Sequence, residues 1–222
     1  MNININSAWD ELRQRVATCQ GCELCKTRAN TVFGEGPIDS KVVIIGEAPG
    51  TQEDHEGRPF VGKAGELLTK ILQNGGNIAR DSVYITNIVK CWPPPEEEGK
   101  ENGKPKPGQI AKCINFLEAQ LLLLRPKIIV TMGNFPTQTL LKTSVGIMKL
   151  RGNWRDWRGV KLFPMFHPSF LLRNDARHEG SPKWLTNLDV KALKREIDKL
   201  HEGEMLINGG TQENPDAPGN NS

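Results

Sequence analysis

Residues 42–50 read Val42-Val43-Ile44-Ile45-Gly46-Glu47-Ala48-Pro49-Gly50. An unbroken β-branched run without a polar alternate describes a strand buried on both faces, as in a parallel sheet. The glycine and proline that follow end the strand and leave an acidic side chain, Glu47, at its carboxyl end. Three further apolar runs have the same character: Val83–Val89, Ile128–Met132 and Lys161–Phe166. Helix-like segments lie between them at Ala64–Gln73, Gln109–Leu124 and Pro136–Lys142. Another, Leu185–Leu200, follows the last run with Leu185, Leu188, Leu193, Ile197 and Leu200 near helical spacing, and Ala8–Thr18 opens the chain. This alternation predicts a three-layer α/β/α sandwich around a central four-stranded, mainly parallel sheet. Such folds place their site at the carboxyl ends of the strands, so the residues that follow each strand matter most.

The chain has 222 residues, enough for one domain with appendages. We expect that domain to span residues 1–202, including the N-terminal helix and cysteine segment, with 203–222 a disordered tail rich in Gly, Asn and Pro. Pro93–Gly108, rich in Pro, Glu and Lys, reads as a surface loop. The first residues lack a basic segment followed by an apolar one, and runs such as Leu121–Leu124 are too short to span a bilayer. The expectation is a soluble, cytoplasmic monomer without a membrane partner. A net charge of +3 permits nucleic-acid binding without requiring it, but cationic residues gather between Arg151 and Arg177.

Cys19, Cys22 and Cys25 form a C-x2-C-x2-C trio, and Cys91 and Cys113 stand apart. An odd cysteine count without a secretory signal argues against a disulfide framework and for a metal site. All-thiolate ligation selects zinc or an iron–sulfur cluster. Spacing alone favours the trio plus one distal cysteine as the ligand set.

At the strand ends the residue types point to chemistry. Glu47 can orient water or stabilise a cation, where the bland alternative is an ordinary strand-to-helix turn. Phe60, between Pro59 and Gly62, either stacks on a planar ligand or belongs to the core. Asn87 carries one acceptor and two donors, which suits a nucleobase edge as well as a local backbone bond. His167 follows the fourth run and is fixed by Pro168. Ser169 and Arg173 suit phosphate contacts, although a solvated arginine is the plainer reading of the latter.

Taken in order, GEAPG…ED…GRPFVGKAG, YITNIVKC and FHPSFLLRN, with the CxxC near the start, resemble family 4 uracil-DNA glycosylases, the iron–sulfur members of the uracil-DNA glycosylase superfamily. The resemblance covers roughly residues 15–200. It implies an enzyme of DNA repair that flips uracil out of DNA and hydrolyses its N-glycosidic bond. It implies that Phe60 stacks on the uracil, that Asn87 bonds N3–H and O4, and that His167 donates to O2. Ala48 and Pro49 would border the ring with Glu47, whose carboxylate would position water and stabilise an oxocarbenium-like sugar. Leu171 would wedge into the duplex, with Ser169 and Arg173 on the DNA. By resemblance the ligands of a structural [4Fe–4S] cluster are Cys19, Cys22, Cys91 and Cys113, leaving Cys25 aside, which departs from the trio favoured by spacing.

Two departures matter. The best-known branch of the superfamily carries an Asp and a Tyr in its first motif, where Ala48 and Gly50 stand here. The water-handling role therefore passes to Glu47, with Glu53 as the fallback. The insert of a related, covalently crosslinking branch is also missing. A rival reading is a non-catalytic iron–sulfur DNA-binding or redox-sensing module on the same fold. No protein partner, such as a sliding clamp, is named by the sequence.

Overall fold

The computed structural model describes residues 4–96, 98 and 102–208. Its strands are β1 (Val42–Gly46), β2 (Tyr84–Asn87), β3 (Ile128–Met132), β4 (Arg155–Trp157) and β5 (Val160–Met165), in the spatial order β2-β1-β3-β5-β4. The β1–β2, β1–β3 and β3–β5 pairs are parallel, and β4 pairs antiparallel with β5. The sheet is thus five-stranded where four strands are expected. The extra strand is three residues long and largely exposed, so no buried run announces it. It exists because Arg158 and Gly159, both at positive φ (53° and 83°), close a two-residue hairpin onto β5.

The helices are α1 (Ile5–Ala17), α2 (Thr51–Glu56), α3 (Lys63–Lys70), α4 (Pro107–Leu124), α5 (Asn134–Leu141), α6 (Ile147–Leu150), α7 (Pro168–Leu172) and α8 (Pro182–Asn208). α3 runs on into a wide π-type turn at Ile71–Gly75. β2 is shorter than the apolar run Val83–Val89, because the chain turns at Ile88 to bond back to β1: Ile88 N donates to Gly46 O and Val89 N to Glu47 O, both at 3.0 Å. α8 continues to Asn208, six residues into the expected tail, and the remainder of that tail, 209–222, lies outside the described residues. Among the described residues no helix is long and apolar enough to cross a membrane.

Side-chain alternation along the strands builds two cores. Val43 and Ile45 of β1 join Trp9, Leu12, Leu117 and Leu121 beneath α1 and α4, while Val42 and Ile44 join Leu68, Leu72, Val190 and Leu193 beneath α3 and α8. Trp9 meets Phe33 and Tyr84 edge-on, with ring centroids 5.1 and 5.3 Å apart.

α8 is fastened by one buried pair. Asp189 is 2% exposed and accepts from Arg151 Nε at 2.7 Å, and Arg151 Nη2 also bonds the carboxylate and the Leu185 carbonyl. Removing the guanidinium strands a buried carboxylate, a loss of about 3–5 kcal/mol. Arg151→Met should therefore lower unfolding free energy by that order in a urea titration, and a midpoint matching the parent would contradict it.

Candidate active site

Three strand ends meet at one cavity of about 220 Å³ lined by Glu47, Ala48, Pro49, Gly50, Glu53, Phe60, Ala64, Asn87, Asn102, Gly103, His167 and Ser169. This is less than the roughly 300–1,000 Å³ usual for drug-sized ligands and suits a single heterocycle. Every residue expected to touch a base is in its wall: Glu47, Ala48 and Pro49 after β1, Asn87 at the end of β2, and His167 after β5.

Close packing fixes the geometry. A Cβ on Gly46 would lie 2.2 Å from Asn87 Oδ1 and 2.7 Å from Phe60 Cζ, so only glycine lets the amide and the ring approach the strand end. Phe60 is buried at φ 52°, a left-handed conformation costly for an aromatic residue. It is held there by Glu53. One carboxylate oxygen of Glu53 accepts from Val61 N and Gly62 N, the other from Gly50 N, all at 3.0 Å. With both oxygens committed to backbone amides, Glu53 is a clamp between the two loops, and the fallback role of water handling does not suit it. Phe60 and His167 are neighbours in the cavity wall, ring centroids 5.9 Å apart and planes tilted by 33°.

Hydrogen bonding settles the tautomer of His167. Nδ1 accepts from Ser169 N at 3.1 Å, a bond only a lone pair can receive, and Ser169 Oγ lies 2.8 Å from the same nitrogen. The imidazole proton therefore sits on Nε2. Burial, with Arg173 adding repulsion, holds the imidazole down to about 4, so it is neutral at physiological pH. Glu47 is half-buried and has its carboxyl raised above the usual range by that burial, against the opposing charge of Lys104.

The loop Pro93–Gly108 is more than a surface connection. Asn102 and Gly103 reach the cavity wall, held by Trp92 Nε1 donating to Asn102 Oδ1 at 2.8 Å and Gly103 N donating to Pro93 O at 2.9 Å. The Asn-Gly pair inside a polar stretch is the only sequence signal for this, and it marks a turn rather than a site.

Of the residues expected to meet DNA, Ser169 lies in the cavity wall with its hydroxyl against His167, and Arg173 is exposed beside it. Leu171, expected to wedge into a duplex, is buried in this structure. In the single turn of α7, Pro168 and Leu171 share the inward face, and Leu171 is 1% exposed. Leu172 points outward instead, at 46% exposure.

On the α4 side of the sheet, Cys19, Cys22, Cys91 and Cys113 line one small cavity with Arg28 and Lys90, and Cys25 is absent from its wall. Arg28 Nη1 donates to Cys91 Sγ at 3.3 Å, Lys90 N to Cys113 Sγ at 3.2 Å and Gly21 N to Cys19 Sγ at 3.4 Å. Burial raises the Cys91 thiol to about 11 and raises Cys113 too. It pulls the Lys90 amine down to about 7, opposed by Cys113 and Cys91. Among the described residues no three His, Cys, Asp or Glu side chains converge on a single-ion site.

Comparison with known proteins agrees with this geometry. The family model described as the uracil DNA glycosylase superfamily matches residues 33–194. A type-4 uracil-DNA glycosylase of Thermotoga maritima is 46% identical over 163 residues, covering 72% of this chain and 81% of that protein. Proteins of the same name from Sulfurisphaera tokodaii (38% over 173 residues, 74% and 76% covered) and Saccharolobus solfataricus (40% over 181 residues, 77% and 78%) are also similar. With the motif order, the strand-end cavity and these relatives in agreement, the chain belongs to the uracil-DNA glycosylase superfamily.

Proposed function

We propose that this protein excises uracil from DNA, hydrolysing the bond between the flipped-out base and its deoxyribose and leaving an abasic site. The observation that carries the reading is His167: a neutral imidazole with its proton on Nε2, beside Phe60 in the wall of a cavity that suits one base. The uracil stacks on Phe60, and Asn87 bonds its N3–H and O4. As the bond to C1′ breaks, its electron pair passes to the base, and His167 Nε2–H donates to O2 where the charge gathers. One such donor is worth ~3 kcal/mol in comparable sites. The half-buried Glu47 carboxylate stabilises the cationic sugar, orients the water whose oxygen adds to C1′ and takes up the proton that water releases. Ala48 and Pro49 close the ring's edge. Ser169 serves by orienting His167, while Arg173 and Leu172 meet the DNA backbone and the vacated stack. We assign the protein to the cytoplasm, acting on DNA as a monomer. A non-catalytic module has no use for a tautomer-locked histidine in one cavity with a half-buried carboxylate.

We also read Cys19, Cys22, Cys91 and Cys113 as the ligands of a [4Fe–4S] cluster. Their shared cavity, the three N–H groups aimed at their sulfurs and the buried Lys90 cation suit an anionic thiolate group. Thiolates that serve one iron each need not converge as tightly as ligands of a single zinc ion, which fits the wider arrangement. When bound, the cluster supplies a covalent clamp between the N-terminal segment and the Cys91–Cys113 loop.

A uracil-containing oligonucleotide incubated with the protein and then treated with alkali should break at the uracil. Intact strands under conditions where DNA is bound would end the enzyme reading. In single-turnover assays, His167→Ala should lose about 10²–10³ in rate with DNA affinity nearly unchanged. The pH profile separates the two groups. Protonation of Glu47, raised by burial, removes the needed carboxylate, so the rate should fall on the acid side above the ordinary Glu value of about 4.3. His167 stays neutral down to about 4 and adds no limb above that. Glu47→Gln should be slow and flat across the same range; an unchanged acid limb would remove Glu47 from its role. For the cluster, Cys113→Ser should abolish visible iron–sulfur absorption while Cys25→Ser keeps it, and the reverse pattern would favour the trio.

A further inference from the structure

One buried charge takes no part in this chemistry. Lys90 is 1% exposed, and its Nζ lies 2.7 Å from Thr86 Oγ1, 2.7 Å from Asn87 O and 2.6 Å from Gln120 Oε1. All three oxygens can only accept. Asn87 O is a backbone carbonyl. Thr86 spends its proton on Phe33 O at 2.9 Å, and the Gln120 amide is oriented by Nε2 donating to Phe33 O at 2.9 Å and lying 3.3 Å from Tyr84 Oη. Three acceptors claim three N–H bonds, which only the ammonium form provides. Among the described residues no carboxylate pairs with it. The groups beside it able to carry negative charge are Cys91, its chain neighbour, and Cys113, whose sulfur accepts the Lys90 amide.

We infer that Lys90 is a positioning residue that couples the cysteine site to the uracil pocket. On one side the ammonium is balanced by the anionic thiolates. On the other it grips the Asn87 carbonyl, and with it the turn whose next two amides bond Gly46 O and Glu47 O. One short turn thus joins the counter-charge at the cysteines to the amide that reads the base and the strand end that carries Glu47. Gln120 and Thr86 complete the cage of acceptors around the ammonium. The inference rests on the ligand-set reading above. Coupling of this kind is reciprocal: the thiolate-bound group stabilises the ammonium, and the ammonium stabilises the group.

The test is a four-way comparison of wild type and Lys90→Met, each with the cluster in place and after its removal by chelation. Removing the cluster should lower the thermal midpoint of wild type more than that of Lys90→Met, because only wild type is left with an uncompensated buried cation. In the loaded proteins the cluster's reduction potential should move negative in Lys90→Met. Its single-turnover rate should fall about tenfold with KM for DNA nearly constant, the split expected of a group acting through Asn87. Equal midpoint losses with an unchanged potential would overturn the coupling. Should Lys90→Met not accumulate as folded protein, Thr86→Val removes one acceptor and leaves the charge. It should keep the wild-type potential and lose a few-fold in rate, and a wild-type rate would overturn the positioning role. A wild-type preparation without iron would instead remove the ligand-set reading, and this inference with it.

Discussion

A hydrogen atom is all that fits on the inner side of Gly46. Asn87 Oδ1 and the Phe60 ring both press against that point, so the end of one strand, the amide of its neighbour and the stacking ring are set by a single contact. Phe60 reaches that point at positive φ, with Glu53 holding the Gly50 and Val61–Gly62 amides together beside it. The cavity is therefore a consequence of packing at the carboxyl edge of the sheet rather than a space added to it. Binding energy is not spent arranging these groups when a base arrives, which is the sense in which the site is preorganised.

Much of this was legible in the residues themselves. An apolar run buried on both faces is hard to place anywhere but in a parallel sheet, and the run from Val42 to Ile45 divides cleanly between the two cores. Glu47 and His167 were marked by their place just after such runs and Asn87 by its amide near the end of another, because a strand end holds a polar group at the rim of a buried layer. The cysteines are more instructive. Spacing favours the trio, yet Cys25 is absent from the cavity wall that Cys19 and Cys22 share with Cys91 and Cys113, which come from a distant part of the chain. Three-residue intervals describe what can meet locally and say nothing of what the sheet brings close.

What escaped the sequence has physical reasons. β4 is three exposed residues held by a hairpin, so it has no hydrophobic signature. Leu171 and Leu172 are chemically alike, and a single helical turn decides which is buried; one residue of phase reverses their roles. Glu53 has the same charge as Glu47 and lies nearby, but three backbone amides exhaust its oxygens. Asn102 reaches the cavity from a stretch whose composition describes only a loop. In each case the deciding fact is an orientation, and orientation is set by neighbours that are remote in sequence.

The lock on His167 reaches beyond geometry. Because Ser169 occupies Nδ1, two residues along the same turn, the imidazole offers a hydrogen bond but holds no spare proton to surrender. On the proposed mechanism, a base leaving this pocket departs with the bonding electrons as an anion and collects its proton afterwards from solvent. Only a heterocycle able to bear that charge on its own carbonyl oxygens can leave at a useful rate. Discrimination is thus exercised twice, once by the shape and polarity of the cavity and again by the electron demand of the bond that breaks.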